Sequence, residues 1–355
     1  EDPLNSFRLG YRTLLQGVDV GAGEITQAGE FLANAVMNVL PNAALYTYGK
    51  TYEHRPLVYL VISSPENFSR LEEIRRNNLK RTGVLPGDPA PDNIAIVWLS
   101  YNVHGNEASS MEAAMETVYA LADPTNEKTR EWLKNTIVIM DPCVNPDGRD
   151  RYANFYNQYG NQAPNPRQDG FEHHEPWPGG RFNHYLFDLN RDWAWATQTE
   201  SRQRLKAYHD WLPHVHVDFH EQGHNNPYFF APAAEPLHEV ISDWQRELQL
   251  LIGKNNARYF DQRGWLYFTK EIFDLYYPSY GDTYPTYSGA VGMTYEQAGG
   301  GSSGEHVYQQ CRRNSDQHYG LNVGAGRRLR DSAQPEGSGE RDDHLLDVGR
   351  DDERP

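Results

Sequence analysis

The sequence predicts a single α/β domain with a central mixed, largely parallel sheet flanked by helices. Residues 93–101 and 136–143 are nearly continuous apolar runs, and 215–219 places Val215, Val217 and Phe219 at every second position. Continuous apolar runs mark strands covered on both faces. Helical spacing separates these strands, and that alternation is the pattern of a sheet with helices packed on it. No internal repeat and no linker divides the 355 residues, of which 38% are hydrophobic. One core over residues 1–304 is therefore expected, followed by a polar tail, 305–355, that carries almost no core material and reads as disordered.

In chain order, 24–40 reads as a first helix, with Ile25, Ala28, Phe31, Leu32, Ala35 and Val36 on one stripe. Tyr48-Gly49-Lys50 reads as a turn, 57–63 as a short strand and 68–79 as a charged surface helix. A loop rich in Gly and Pro spans 83–91. After the strand at 93–101, the Ala, Met and Leu spacing of 109–121 predicts a helix. The strand at 136–143 is followed by 154–190, dense in Asn, Gln, Pro, Gly and aromatics, and a loop of that length inside a domain is usually functional. A helix over 198–211 leads to the strand at 215–219, a long helix covers 235–259, and 289–296 is a last short strand.

Charge excludes some partners. Lys and Arg number 33 against 49 Asp and Glu, a formal net of -16, so nucleic acid and anionic membrane surfaces are disfavoured. No apolar stretch approaches the ~18 residues of a membrane span. The two cysteines, Cys143 and Cys311, are too few for a disulfide scaffold or a cysteine zinc cluster, so a metal site would draw on His and carboxylates.

Sheets of this type bind ligands beyond the carboxyl ends of their strands. The segments found there are Val103-His104-Gly105-Asn106-Glu107, Val144-Asn145-Pro146-Asp147-Gly148, His220-Glu221-Gln222-Gly223 and Tyr295-Glu296-Gln297. His104 and Glu107 are three apart at a loop-to-helix junction, where both side chains can enter one coordination sphere; the alternative is a glutamate complementing a helix N-terminus. Period two puts His214, His216, Asp218 and His220 on one face of their strand. His214 and His216 are read as satisfied, partly buried imidazoles. His220, at the strand end, is placed to complete a two-histidine, one-glutamate zinc set with a position open to water.

His220-Glu221-Gln222-Gly223-His224 also matches the helical HExxH zinc signature. That motif needs a helix, whereas this segment follows a strand and runs into Gly223 and Asn225-Asn226-Pro227. Glu296 is either a surface glutamate at a strand end or, beside a metal, a desolvated general base. Asn190-Arg191 supplies an amide and a planar guanidinium suited to a carboxylate, though most arginines are only surface charges.

Together, the His-x-x-Glu after a strand, Asn-Pro-Asp-Gly after the next, Asp188-Leu189-Asn190-Arg191, the strand-terminal His220 and the late Glu296 resemble the zinc metallocarboxypeptidases of the carboxypeptidase A type. Gly49-Lys50-Thr51-Tyr52-Glu53, with Arg55-Pro56, looks like that family's early motif. The resemblance implies one Zn2+ held by His104, Glu107 and His220, with Glu296 as general base and acid. It implies Asn190 and Arg191 as holders of the substrate's terminal carboxylate and Asp188 as the carboxylate supporting the first ligand histidine. The family's oxyanion arginine has no counterpart at the familiar interval, and Arg151 is taken for it over Arg149. Its mobile tyrosine is Tyr276, Tyr277 or Tyr280, of which Tyr280 is taken.

The activity implied is removal of the C-terminal residue from peptides or proteins. Rivals are an amidase or deacylase of the same fold acting on cell-wall or side-chain amides, and a non-catalytic zinc- or carboxylate-binding module, which would have no need of Glu296. The start at Glu1-Asp2-Pro3, taken with the resemblance, makes a secreted or periplasmic protein the expectation.

Overall fold

Residues 42–160, 167 and 169–299 are described by the computed structural model. The helix expected at 24–40, the tail at 305–355 and Cys311 lie outside the described residues. Eight strands form one sheet: β1 (Ala43–Lys50), β2 (Pro56–Ile62), β3 (Ala95–Tyr101), β4 (Thr136–Asp141), β5 (Val215–Gln222), β6 (Tyr228–Phe229), β7 (Tyr267–Phe268) and β8 (Val291–Ala298), in the order β1-β2-β4-β3-β5-β8-β6-β7. The central pairings β4-β3, β3-β5 and β5-β8 are parallel, and β1-β2, β2-β4 and β8-β6 are antiparallel, so the sheet is mixed as expected.

Helices are α1 (Pro65–Ser69), α2 (Leu71–Arg81), α3 (Ser109–Ala122), α4 (Glu127–Leu133), α5 (Pro146–Tyr159), α6 (Thr199–Trp211), α7 (Asp243–Arg263) and α8 (Thr283–Tyr287). Along β3, Val97, Leu99 and Tyr101 join one core with Ala114 and Val118 of α3 and Leu248 and Ile252 of α7. Ile96 and Trp98 join a second core with Ile74 of α2 and Leu205, Tyr208 and Trp211 of α6. Burial on both faces is why the run shows no alternation.

Local signals failed in identifiable places. Gly49 is no turn; it lies within β1, one residue before its end, and a β-carbon there would overlap the Gln203 side chain of α6, so glycine serves a close approach. The helix expected at 68–79 is broken at Arg70 into α1 and α2. The long loop starts later than expected because 154–159 continue α5, whose start carries an Asn145 cap accepting from the Gly148 N–H at 3.0 Å and proline in the first turn. The helix expected at 235–259 begins instead at Asp243, where Ser242 and Gln245 form a reciprocal cap, and ends at Gly264 in the left-handed region.

Asp141, at the end of β4, is fully buried and accepts the Tyr48 hydroxyl at 2.7 Å. Burial pushes its carboxyl up to about 7, against the opposing pull of Tyr48 and Arg204. The folded chain therefore holds a proton that the unfolded chain releases at a lower pH. The associated stability is complete below the unfolded value and is lost as pH rises through the folded one. Asp141→Asn is expected to stabilise the protein at pH 8 by up to ~4 kcal/mol, and by less at pH 5. Urea unfolding at both pH values checks this; an equal effect at the two would exclude a titrating Asp141.

Candidate metal centre

The centre lies where β3, β4, β5 and β8 end together. Asn102, which follows β3, takes a positive φ of 58°, tolerable for asparagine, and its Nδ2 donates to the carbonyls of His104 (3.0 Å) and Glu107 (2.9 Å). That turn points both side chains inward. Gly105 lets the neighbouring loops approach: a β-carbon there would overlap Arg149 N and Gly148 C of the Asn-Pro-Asp-Gly segment. Asp147 of that segment accepts from Thr51 Oγ1 at 2.7 Å and Arg55 Nη1 at 2.8 Å, so the early motif and Asn-Pro-Asp-Gly form a clasp beneath the site.

His104, Glu107 and His220 converge, with one ligand atom from each lying within 4.8 Å of the others. His104 Nδ1 is 2.7 Å from Glu107 Oε1, and His220 Nδ1 is 3.0 Å from Glu107 Oε2 and 3.2 Å from His104 Nδ1. Each imidazole turns its Nε2 outward to a carboxylate, His104 to Asp188 at 3.1 Å and His220 to Asp218 at 2.8 Å. Burial opposes charge on Glu107, but His104 and His220 more than offset it and hold its carboxyl well below the usual range. Two Nδ1 atoms and an ionised carboxylate facing one point, with both Nε2 positions backed by carboxylates, fit a zinc ion with a position left open.

Glu296 sits on β8 opposite His220 of β5. It is 7% exposed, and its Oε2 is buried without a hydrogen-bond partner among the described residues. Burial pushes its carboxyl up to about 8; His220 pulls it down, while Glu107 and Asp218 push it further up. A carboxyl so placed suits proton transfer near neutral pH.

The other expected residues divide. Asn190 is adjacent but turned inward: Oδ1 accepts the Gly281 N–H at 2.7 Å, and Nδ2 stands 3.2 Å from His220 Nε2. Arg191 is exposed, and its guanidinium lies 4.6 Å from the centroid of the Tyr280 ring, so those two are brought together. Tyr276 is exposed, and Tyr277 accepts from Trp195 Nε1 at 2.7 Å. Arg151 is not at the centre. Its guanidinium donates to the carbonyls of Gly179, Phe182 and Asn183, because α5 directs it under the 179–183 loop.

The guanidinium that reaches the centre is that of Arg181, which sequence reasoning missed. Its Nη1 is 3.3 Å from His104 Nδ1 and 3.5 Å from Glu107 Oε1, and it pairs with Asp188. The only local signal was a Gly179-Gly180-Arg181 turn shortly before Asp188. His214 Nδ1 accepts the Ile96 N–H at 3.0 Å, and His216 is buried between Trp193 and Tyr208, where burial lowers it to about 3. His214 is thus partnered as expected, whereas His216, expected to be satisfied and partly buried, is fully buried with neither ring nitrogen hydrogen-bonded among the described residues, held instead by aromatic rings. The HExxH alternative fails on geometry: 215–222 is strand, and Glu221 Oε1 accepts the Ser109 N–H that opens α3.

The described residues contain no helix long and apolar enough to cross a membrane. A family model described as zinc carboxypeptidase matches residues 32–258, more than half of the chain. Among solved structures the chain is similar to a metallo-carboxypeptidase from Burkholderia cenocepacia, at 17% identity and a TM-score of 0.62, covering 86% of this chain and 69% of that one. It is similar to the carboxypeptidase A of Helicoverpa armigera, at 16% identity and a TM-score of 0.57, covering 86% and 73%. A Pseudomonas aeruginosa metallo-carboxypeptidase matches at 12% identity with a TM-score of 0.57, covering 87% and 69%. At such identities the likeness shows a shared fold. No curated protein matches the chain.

Proposed function

Because the chain belongs to the zinc carboxypeptidase family, we propose that it hydrolyses the C-terminal peptide bond of peptides or proteins, with zinc on His104, Glu107 and His220 and Glu296 as general base. The observation that carries this reading is the convergence of those three donors beside a buried, high-pKa carboxyl on the adjoining strand. Zinc, when bound there, would supply a Lewis acid that polarises the scissile carbonyl and acidifies the attacking water. Glu296 takes the proton of that water and delivers it to the leaving amine. Asp188 holds the His104 ring through Nε2. Arg181, over the donor set, takes the place expected of Arg151 and faces the charge that develops on the carbonyl oxygen.

Arg191 would take the terminal carboxylate, backed by the Tyr280 ring. Arg191→Met is expected to raise KM for a free C-terminal peptide about 10-fold to 100-fold, and far less for the same peptide amidated, since a charge-assisted pair is worth ~1.5–3 kcal/mol. Equal effects on the two substrates would remove Arg191 from carboxylate recognition. Asn190 is turned inward by the Gly281 N–H that its Oδ1 accepts, which leaves carboxylate recognition to a single exposed arginine and favours, as a second reading, an amidase or deacylase of the same fold. Product analysis of zinc-loaded protein on peptides and on acylated side-chain amides decides between them. Stepwise C-terminal release supports the carboxypeptidase, and internal amide cleavage alone supports the second reading.

A further inference from the structure

We propose that Asp218 is the positioning residue of His220, fixing which imidazole nitrogen faces the metal, and that Gly281 supplies the clearance this requires. The role presupposes zinc on His104, Glu107 and His220 as read above.

Asp218 and His220 are two apart on β5, so they share a face of the strand, and the carboxylate reaches the ring of its own strand neighbour: Oδ2 is 2.8 Å from His220 Nε2. An imidazole with its Nε2 hydrogen given to a carboxylate presents the Nδ1 lone pair. In this structure Nδ1 is the atom that stands 3.0 Å from Glu107 Oε2 and 3.2 Å from His104 Nδ1. His104 is arranged the same way, with Nε2 on Asp188 at 3.1 Å and Nδ1 on Glu107 at 2.7 Å. The two histidines thus carry equivalent carboxylates from different sources, one from the 188–190 loop and one from the strand itself.

Asp218 is held where it is. It is 1% exposed and flanked in register by Ser100 of β3 and Thr294 of β8. A β-carbon on Gly281 would overlap its Oδ2, and Gly281 is fastened in place by its N–H to Asn190 Oδ1 at 2.7 Å. The inward turn of Asn190 thereby acquires a purpose, since it presses the 281 backbone against the carboxylate and leaves that group little room to rotate off the ring.

The test is zinc affinity. Apo protein is titrated with Zn2+ against a chromophoric chelator for the wild type, Asp218→Ala, Asp218→Asn and Gly281→Ala, with thermal unfolding of each apo form alongside. Asp218→Ala is expected to raise the zinc Kd about 10-fold to 100-fold. Asp218→Asn should lose less, because its amide oxygen still accepts the Nε2 hydrogen, and Gly281→Ala should fall between wild type and Asp218→Ala. In cobalt-substituted protein the visible bands should shift for Asp218→Ala and stay near wild type for Asp218→Asn. Wild-type affinity in Asp218→Ala overturns the proposal, as does equal loss in the Ala and Asn variants that follows apo stability. Should Asp218→Ala fail to fold, Gly281→Ala decides, because its β-carbon would displace the Asp218 carboxylate from the ring: an unchanged zinc Kd in folded Gly281→Ala overturns the proposal. A wild type that binds no zinc would overturn the zinc reading itself, a result distinct from any effect confined to the variants.

Discussion

Replacing Glu296 with Gln is expected to lower kcat by about 10²-fold to 10⁴-fold, the usual contribution of a positioned general base, while zinc affinity changes little. The amide keeps the volume of the carboxyl on β8, so the neighbouring His220 and the sheet register should be undisturbed. It cannot accept a proton. Burial, with Glu107 and Asp218 adding to it against the pull of His220, raises the native carboxyl above its ordinary range, and a zinc ion on the adjoining donors would lower it again so that it could take the water's proton. The measurement is kcat alongside bound zinc per chain in the same preparation. Turnover within tenfold of wild type would remove Glu296 as the base; loss of zinc together with turnover would instead make it a ligand.

His104→Ala or His220→Ala is expected to abolish stoichiometric zinc binding, whereas His224→Ala should keep it. The first two remove one of three donors that meet within 4.8 Å. His224 lies beyond Gly223, past the end of β5, and the HExxH motif to which it would belong is never helical. Elemental analysis after dialysis reads the result directly, from about one zinc per chain to nearly none. Zinc lost in His224→Ala but kept in His104→Ala would reverse the ligand assignment.

Much of the centre was legible because its donors sit at the ends of strands whose own pattern is local. The continuous apolar runs of β3 and β4 and the alternation in β5 reflect burial on two faces, which leaves a mark in any short window of residues. What those windows could not show was contact between segments. Gly49 looked like a turn because the Gln203 side chain that requires it lies on α6, more than a hundred residues on. Arg151 was taken over Arg149 because both lie near Asn-Pro-Asp-Gly along the chain, and Arg181 was missed, yet the close approach at Gly105 and Gly148 folds the later loop back over the centre and brings Arg181 with it.

By itself, then, the sequence determined the class of the sheet, the strands that carry its core and the identities of the candidate donors, since periodicity and residue chemistry are properties of short segments. The tertiary structure alone decided which guanidinium stands over the donors, that Asn190 faces inward, and that His220, like His104, is backed on Nε2 by a carboxylate. The physical reason is that a hydrogen bond or a close backbone approach between distant segments is set by how loops pack at the sheet's edge, and a glycine or an arginine carries no mark of the partner it will meet.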